Sequence, residues 1–88
     1  MQEFARICER DNVAVALKDL EPGAMIDVDG ELIRLAEPIK FGHKIAIGDI
    51  AKGEPVIKYC EKIGIATANI KRGEHVHIHN LQSTRVRR

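Results

Sequence analysis

A short unit occurs three times in this chain and constrains its fold more than any other sequence feature. Each copy has Asp or Asn, then Ile or Leu, two further residues and Gly, and short alternating apolar runs lie between the copies. The copies span residues 19–23, 49–53 and 69–73. An Asx side chain can accept hydrogen bonds from amides just downstream, and Gly can adopt the positive φ of a tight corner. The repeat therefore predicts short strands joined by tight corners.

The rest of the chain also favours strands. Asp29-Gly30, between two apolar runs, is a strong signal for a two-residue hairpin. No stretch keeps a helical period for ten residues, and residues 2–8 fit either a helix or a strand, with their shortness favouring a strand. We predict a mostly β domain, compact and barrel-like or clip-like, with short helical turns at most. The further predicted strands are 13–17, 25–28, 32–35, 44–47, 55–59, 63–67 and 76–79.

Chain length limits what the fold can enclose. The 88 residues make one domain, and with 44% hydrophobic but only 3% aromatic residues its core must consist of Ile, Val, Leu and Ala. Little interior remains for an enclosed catalytic cleft, so the domain is expected to supply one wall of a site. From Leu81 the sequence turns polar and basic, which predicts a domain over residues 1–81 and a tail or linker over 82–88.

Charge and cysteine content favour an ordinary cytoplasmic protein. The net charge is +1, and no basic stripe interleaved with aromatic residues predicts nucleic-acid binding. No apolar run approaches the ~20 residues of a membrane helix, and the charged N-terminus is unlike a signal peptide. Cys8 and Cys60 are predicted to be reduced thiols. Exposed strand edges in so small a domain favour a homodimer or docking to a partner.

Three of the four histidines alternate with apolar residues near the end of the chain. On a strand, His75, His77 and His79 would share one face while Val76 and Ile78 occupy the other. Neighbouring rings would be ~6.6 Å apart and the outer pair ~13 Å apart. Metal–nitrogen bonds are about 2.0–2.1 Å, so at most two rings of this strand can bind one ion, and His77 and His79 are one candidate pair. The alternative is a row of half-exposed surface histidines.

The remaining polar candidates lie elsewhere in the same half of the chain. His43 follows Gly42, which would let the backbone turn sharply and present both His43 and Lys44. The alternative is an ordinary surface pair. Lys58, at a strand end, also fits a rim position whose stem packs on apolar neighbours. The sequence contains no nucleophile elbow, phosphate-binding loop or Cys-rich zinc pattern.

Three ordered blocks carry a resemblance to a known family. Residues 42–46, 49–59 and 73–80, together with 11–17, resemble the small SAF-type domain or subunit of the altronate/galactarate dehydratase family. The HVHIHN ending and the Asp29-Gly30 hairpin are more similar to the altronate branch. One departure is Cys60, where the family usually has Gly. If that position needs positive φ, Cys60 carries strain on the order of 1 kcal/mol.

The resemblance implies a β-clip fold and a hydro-lyase reaction that converts a sugar acid into a 2-keto-3-deoxy acid. It implies a divalent cation, Fe²⁺ or Mn²⁺, held mainly by a larger catalytic domain or subunit, which is the expected partner. On this reading the catalytic residues of this domain are His43, Lys44, His77 and His79. The substrate-binding residues would be His75, Lys58 and Asn80.

Three other functions compete with the dehydratase. The small subunit of a sulfolactate sulfo-lyase resembles the sequence just as closely. A non-catalytic SAF module, as in sialic acid synthases or in flagellar and pilus assembly proteins, would bind carbohydrate or serve assembly. A separate metal-storage or sensor domain would bind metal tightly by itself.

Overall fold

The computed structural model describes residues 4–6 and 8–83, and every helix or strand element among them is a strand. The prediction of a mostly β domain is therefore confirmed, and none of these residues forms a helical turn. Nor does any of them belong to a helix with the length and hydrophobicity needed to cross a membrane. The strands are β1 Phe4–Ala5, β2 Val13–Ala16, β3 Met25–Val28, β4 Glu31–Arg34, β5 Lys44–Ala46, β6 Pro55–Lys58, β7 Glu61–Ala66, β8 His75–Val76 and β9 Leu81–Ser83.

The strands form three antiparallel sheets. The largest has the order β1-β2-β5-β8, the second is the β3-β4 hairpin, and the third has the order β6-β7-β9. Within the described residues these sheets stay open and do not close into a barrel. The hairpin predicted at Asp29-Gly30 is confirmed, because both residues adopt the positive φ of a two-residue turn, 52° and 90°.

The described residues contain four such tight corners, one more than the sequence predicted. The additional corner spans residues 38–42, where Pro38 stands in place of the Asx residue. The corners are joined in pairs by isolated bridges, Leu20 to Ile39 and Ile50 to Ile70. In every corner the glycine has positive φ and donates a 2.8 Å backbone hydrogen bond: Gly23 to Leu35, Gly42 to Ala16, Gly53 to Ala66 and Gly73 to Ala46.

The Asx side chains of the second pair cap the partner corner, which differs from the predicted contact with amides just downstream. Asp49 Oδ1 accepts the backbone N–H of Arg72 at 3.0 Å, and Asn69 Oδ1 accepts that of Lys52 at 2.9 Å. The other pair has one such contact, from the Phe41 N–H to Asp19 Oδ1 at 2.9 Å. Within each corner of the second pair a glutamate side chain takes a downstream amide instead, since Glu54 Oε1 accepts the Ala51 N–H at 3.0 Å and Glu74 Oε1 accepts the Lys71 N–H at 2.9 Å.

The core lies beneath these corners in two clusters of aliphatic side chains, as the composition predicted. One cluster contains the hairpin residues Ile26 and Ile33 together with Ile45 of β5. The other contains Ile50 and Ile70 of the second corner pair, with Val76 of β8. Because Ile45 and Val76 belong to adjacent paired strands, β5 and β8 lie where the two clusters meet.

Strand β8 is shorter than predicted. The sequence predicts a strand over 76–79, but β8 ends at Val76 and residues 78–80 form a turn. Asn80 causes the turn, since its Oδ1 accepts the His77 N–H at 2.9 Å and its Nδ2 donates to the His75 carbonyl at 2.9 Å. The side chain of Ile78 consequently lies 83% exposed and does not pack on the apolar face of a strand.

The end of the described chain is more ordered than the sequence indicated. Gln82 and Ser83, predicted to begin a tail, belong to β9 and pair with Ile65 and Gly64 of β7. A Cβ at Gly64 would collide with the backbone of Gln82, so this pairing requires glycine. Residues 84–88 lie outside the described residues, and the division of the chain at residue 81 stays a prediction.

Cys8 and Cys60 form a disulfide, which contradicts the prediction of reduced thiols. Their Cα atoms are 5.4 Å apart, although 52 residues separate them in the chain. The buried Asp11 holds both ends in place, because its carboxylate accepts the N–H of Cys60 at 2.7 Å and that of Cys8 at 3.1 Å. Tyr59 and Cys60 both have positive φ, 55° and 67°, so Cys60 carries the predicted strain of about 1 kcal/mol.

Candidate functional site

The histidines meet where β5 pairs with β8. Gly42 ends a corner and His43 follows it directly, so the corner places the ring of His43 at the start of β5. The antiparallel register pairs Lys44 with Val76, which puts His43 across from His77. Residues far apart in the sequence thus bring their rings to one edge of the four-stranded sheet.

The four imidazole rings lie together. The ring centroid of His43 is 4.5 Å from that of His77 and 5.0 Å from that of His75, with the rings stacked in both pairs. His75 and His77 are 5.5 Å apart, and His79 reaches the group through His75 at 5.3 Å. His43, His75 and His77 are half-buried, whereas His79 is exposed. We call these four residues the histidine cluster.

Three members of the histidine cluster have the donor arrangement of a metal site. His43 Nδ1 and His75 Nε2 are 2.8 Å apart and share a hydrogen bond whose direction depends on the tautomers. One ring nitrogen each from His43, His75 and His77 all lie within 4.8 Å of one another. Two ligands on one ion with 2.0–2.1 Å bonds are roughly 3–3.4 Å apart, so small ring rotations bring all three into range. The residues present fit a divalent transition-metal ion.

This trio differs from the pair that the sequence suggested. Only two of its members, His75 and His77, come from the strand end, in agreement with the limit set by strand spacing. The third comes from His43 on the facing segment, a contact that depends on strand pairing. Metal binding by His77 with His79 stays a prediction, and the described geometry favours the trio.

Two polar side chains fix the backbone beneath the rings. Glu37 Oε2 accepts the backbone N–H of His75 at 3.0 Å, and Asn80 holds His75 and His77 through its amide. Asn80 is buried and both of its amide atoms are occupied, while its predicted substrate contact stays a prediction. The sequence does not point to Glu37, because the following Pro38 cannot donate to a strand ladder and indicates only a break between strands. The missed signal was the fourth corner, which Pro38 begins.

The charges at the cluster favour neutral side chains. Burial, followed by the neighbouring rings of His43 and His79, lowers the pKa of His75 below its ordinary 6.5, although the Glu37 carboxylate opposes the shift. Burial lowers the pKa of His77 as well, with smaller effects from His43 and the Lys44 ammonium. Neutral imidazoles have a lone pair with which to accept a proton or bind a metal ion.

Lys44 acts electrostatically on His77, and a second lysine, Lys58, acts on Lys44. Burial, and then the charge of Lys58, lowers the pKa of Lys44 from its ordinary 10.5. Lys58 is the last residue of β6, and its ammonium lies 5.1 Å from the ring centroid of Tyr59. The charges of the predicted residues Lys44 and Lys58 therefore lie near each other, and together they would attract the carboxylate of an acidic ligand.

The surface around the cluster is open and partly apolar. Phe41, two residues before His43, is 66% exposed, and Ile78, between His77 and His79 in the sequence, is 83% exposed. A cleft of about 330 Å³ lies elsewhere, lined by Arg6, Asn12 and Glu31 among others, and contains no histidine. The histidine cluster thus lies outside this cleft, on the surface of the domain.

Comparison with known proteins finds one matching family and several similar proteins. Residues 2–84 match the family described as the altronate/galactarate dehydratase SAF domain. The chain is 47% identical over 81 residues to altronate dehydratase of Escherichia coli (strain K12), with 92% of this chain and 16% of that protein covered. It is 39% identical over 83 residues to altronate dehydratase of Bacillus subtilis (strain 168), with 94% and 17% covered.

A relative of different size is also similar. The chain is 40% identical over 77 residues to (2R)-sulfolactate sulfo-lyase subunit alpha of Chromohalobacter salexigens, with 81% of this chain and 82% of that subunit covered. The chain thus spans about a sixth of the altronate dehydratases but most of the sulfo-lyase subunit. Since the family match extends over nearly the whole sequence, the chain belongs to the altronate/galactarate dehydratase SAF domain family.

Proposed function

We propose that this chain is the SAF domain or small subunit of an altronate dehydratase-type hydro-lyase. The reaction removes water from an aldonic or aldaric acid and gives a 2-keto-3-deoxy acid. In this proposal the chain contributes one wall of the active site, and a larger catalytic domain or subunit closes the other side. The 16–17% coverage of the altronate dehydratases supports a larger partner.

The single observation that carries the proposal is the grouping of the histidine cluster with Lys44 on one open surface. His43, His75 and His77 are stacked and half-buried, and the charge of Lys44 reaches His77. The exposed side chains of Phe41 and Ile78 provide the apolar contact that docking of a partner would bury.

These residues suit the two proton transfers of a dehydration. The proton beside the substrate carboxylate must go to a base, and the leaving hydroxyl must receive a proton from an acid. Neutral His77 can take a proton, and His43 or His79 can deliver one from a neighbouring ring nitrogen. Lys44, with Lys58, would hold the carboxylate of the substrate, and His75 would position His43 through their 2.8 Å hydrogen bond.

A divalent metal ion in the assembled enzyme would supply the remaining chemistry, by stabilising the negative charge that develops on the carboxylate as the proton leaves. Fe²⁺ and Mn²⁺ are the expected ions. The chain's own contribution is to hold the substrate carboxylate, transfer protons and exclude water at this wall.

The proposal is tested in the assembled enzyme, with this chain joined to its larger domain or subunit. Altronate and galactarate are supplied in turn, and formation of the 2-keto-3-deoxy acid is followed. We expect His77→Ala to reduce turnover at least about 100-fold, the usual scale of a lost acid–base group. Lys44→Ala should reduce turnover at low substrate concentration, because it removes a charge that holds the substrate carboxylate. Lys52→Ala, an exposed corner residue remote from the chemistry, serves as the control. Unchanged turnover in both site variants would refute the proposal.

One observation favours a second candidate, the alpha subunit of a (2R)-sulfolactate sulfo-lyase. That relative is covered over 82% of its length, so its size matches a domain like this one. The same wall could serve this reaction, because a proton is again taken beside a carboxylate while sulfite leaves in place of hydroxide. If the assembled enzyme released sulfite from sulfolactate and formed no keto acid from altronate or galactarate, this second candidate would be supported.

A further inference from the structure

We propose that His43, His75 and His77 form a binding site on this domain itself for one divalent first-row transition-metal ion. The domain would then carry metal without help from the larger partner. This inference does not rest on the proposed function, because it requires only the geometry of the described residues. It concerns the same rings, however: a ring nitrogen that binds an ion cannot at the same time take or deliver a proton, so the two roles describe alternative states of the histidine cluster.

The first argument is the position of the donor atoms. His43 Nδ1 and His75 Nε2 point at one another across 2.8 Å, with one proton between them. An ion can replace that proton, which His43 or His75 then carries on its other ring nitrogen as the tautomer changes, so no net charge has to leave. The His77 nitrogen completes the trio within 4.8 Å.

The second argument is that the backbone of all three rings is fixed before any ion binds. The backbone N–H of His43 closes its corner by donating to the Lys40 carbonyl at 2.9 Å. Glu37 holds the amide of His75, and Asn80 holds that of His77. Only side-chain rotations are needed to gather the donors, which limits the conformational entropy lost on binding.

The donor set selects the class of ion. Imidazole nitrogens suit Zn²⁺, Cu²⁺, Fe²⁺, Co²⁺ and Ni²⁺, whereas Mg²⁺ and Ca²⁺ prefer oxygen ligands. Three protein ligands leave at least one coordination position for water or another small ligand. Since the three rings are only half-buried, solvent can reach this position.

His79 provides a matched control. It belongs to the same cluster and is also a histidine, yet it is exposed and is not one of the three close donors. Its ring reaches the cluster only through His75, at a tilt of 38°. Replacing it removes an imidazole from the same surface without removing a proposed ligand.

The test uses the 88-residue chain after treatment with a chelator. Zn²⁺ is titrated by calorimetry, and Co²⁺ is titrated while its visible absorption bands are recorded. We expect one ion per chain, bound at about 1 µM or tighter, and no comparable binding of Mg²⁺. His43→Ala, His75→Ala and His77→Ala should each weaken binding at least about 100-fold, because even second-shell losses cost 10–100-fold. His79→Ala should change the affinity less than about threefold.

A second measurement does not depend on whether the variants fold. Zn²⁺ added to the unsubstituted ¹⁵N-labelled chain should shift the ring nitrogens of His43, His75 and His77 at one equivalent, and those of His79 much less. Absence of one-to-one binding, or equal shifts at all four rings, would overturn the metal site. Loss of turnover in the assembled enzyme without metal binding by this chain would leave the lyase proposal intact. Metal binding by this chain, together with unchanged turnover in the His77→Ala and Lys44→Ala variants, would refute the lyase proposal and leave the metal site intact.

Discussion

Asn80 should be the residue on which the shape of the histidine cluster most depends. Its side chain makes two hydrogen bonds of 2.9 Å, from the His77 N–H and to the His75 carbonyl, and it is only 8% exposed. Replacement by Ala would remove both bonds and leave the two backbone groups partly buried without a partner.

The expected cost follows from these contacts. A typical hydrogen bond contributes about 1 kcal/mol, and an abandoned buried group costs about 1–3 kcal/mol. Asn80→Ala should therefore lower the free energy of unfolding by about 2–4 kcal/mol. For a domain of this size each kcal/mol shifts Tm by roughly 4–8 °C, so the transition should fall by at least ~8 °C.

The matched control is Asn69→Ala. Asn69 is also a turn residue, but it is exposed and accepts a single hydrogen bond, from the Lys52 N–H at 2.9 Å. Its loss should cost only about 0.5–1.5 kcal/mol. Urea unfolding followed by far-ultraviolet circular dichroism measures both variants. If the cost for Asn80→Ala does not exceed that for Asn69→Ala, the assigned structural role is wrong.

Three further predictions concern the corners, the disulfide and the histidines. Gly73→Ala should lower the free energy of unfolding by about 2–5 kcal/mol, because positive φ costs about 1–2 kcal/mol and the new Cβ would also collide with the Arg34 backbone. Gly53 has nearly the same φ but open space around it, so Gly53→Ala should cost only about 1–2 kcal/mol. Denaturant unfolding measures both variants. Reducing the disulfide, which closes a 52-residue separation, should lower stability by about 2–4 kcal/mol; a midpoint unchanged by dithiothreitol would contradict this. In the metal-free chain, proton NMR should find the pKa of His75 and of His77 below 6.5. Because the unfolded chain then binds more protons, the free energy of unfolding should fall as pH drops from 6.5 through these lowered values, and a rise would contradict the assignment.

Features determined by neighbouring residues were predictable from the sequence. Asp29-Gly30 needs only its own backbone preference to form a hairpin, and the corners at Gly53 and Gly73 likewise follow from local residues. The corner at Gly42 does not match the sequence repeat, because Pro38 replaces the usual Asx residue. Its existence emerges only when Ile39 is seen paired with Leu20.

Features that depend on distant pairing were not predictable. The contact between His43 and His75 requires β5 to pair with β8, and the sequence gives no register for that pairing. Strict alternation from His75 to His79 favours a continuous strand, but the side chain of Asn80 stops it by bonding back to the chain. The disulfide also depends on distant pairing, since residues 8 and 60 come together only in the folded domain.

The four paired corners have a consequence for how such a domain can change its chemistry. In each, the residue after the glycine closes the turn with its backbone N–H, and the four residues in this place are Ala24, His43, Glu54 and Glu74. A methyl group, an imidazole and two carboxylates are all compatible with the same turn. At two of these positions the side chain also stabilises its own turn, because Glu54 Oε1 accepts the Ala51 N–H at 3.0 Å and Glu74 Oε1 accepts the Lys71 N–H at 2.9 Å. At His43 the side chain instead contacts the other rings of the histidine cluster. The same backbone turn can therefore carry either a side chain that stabilises the fold or one that belongs to a site beside it.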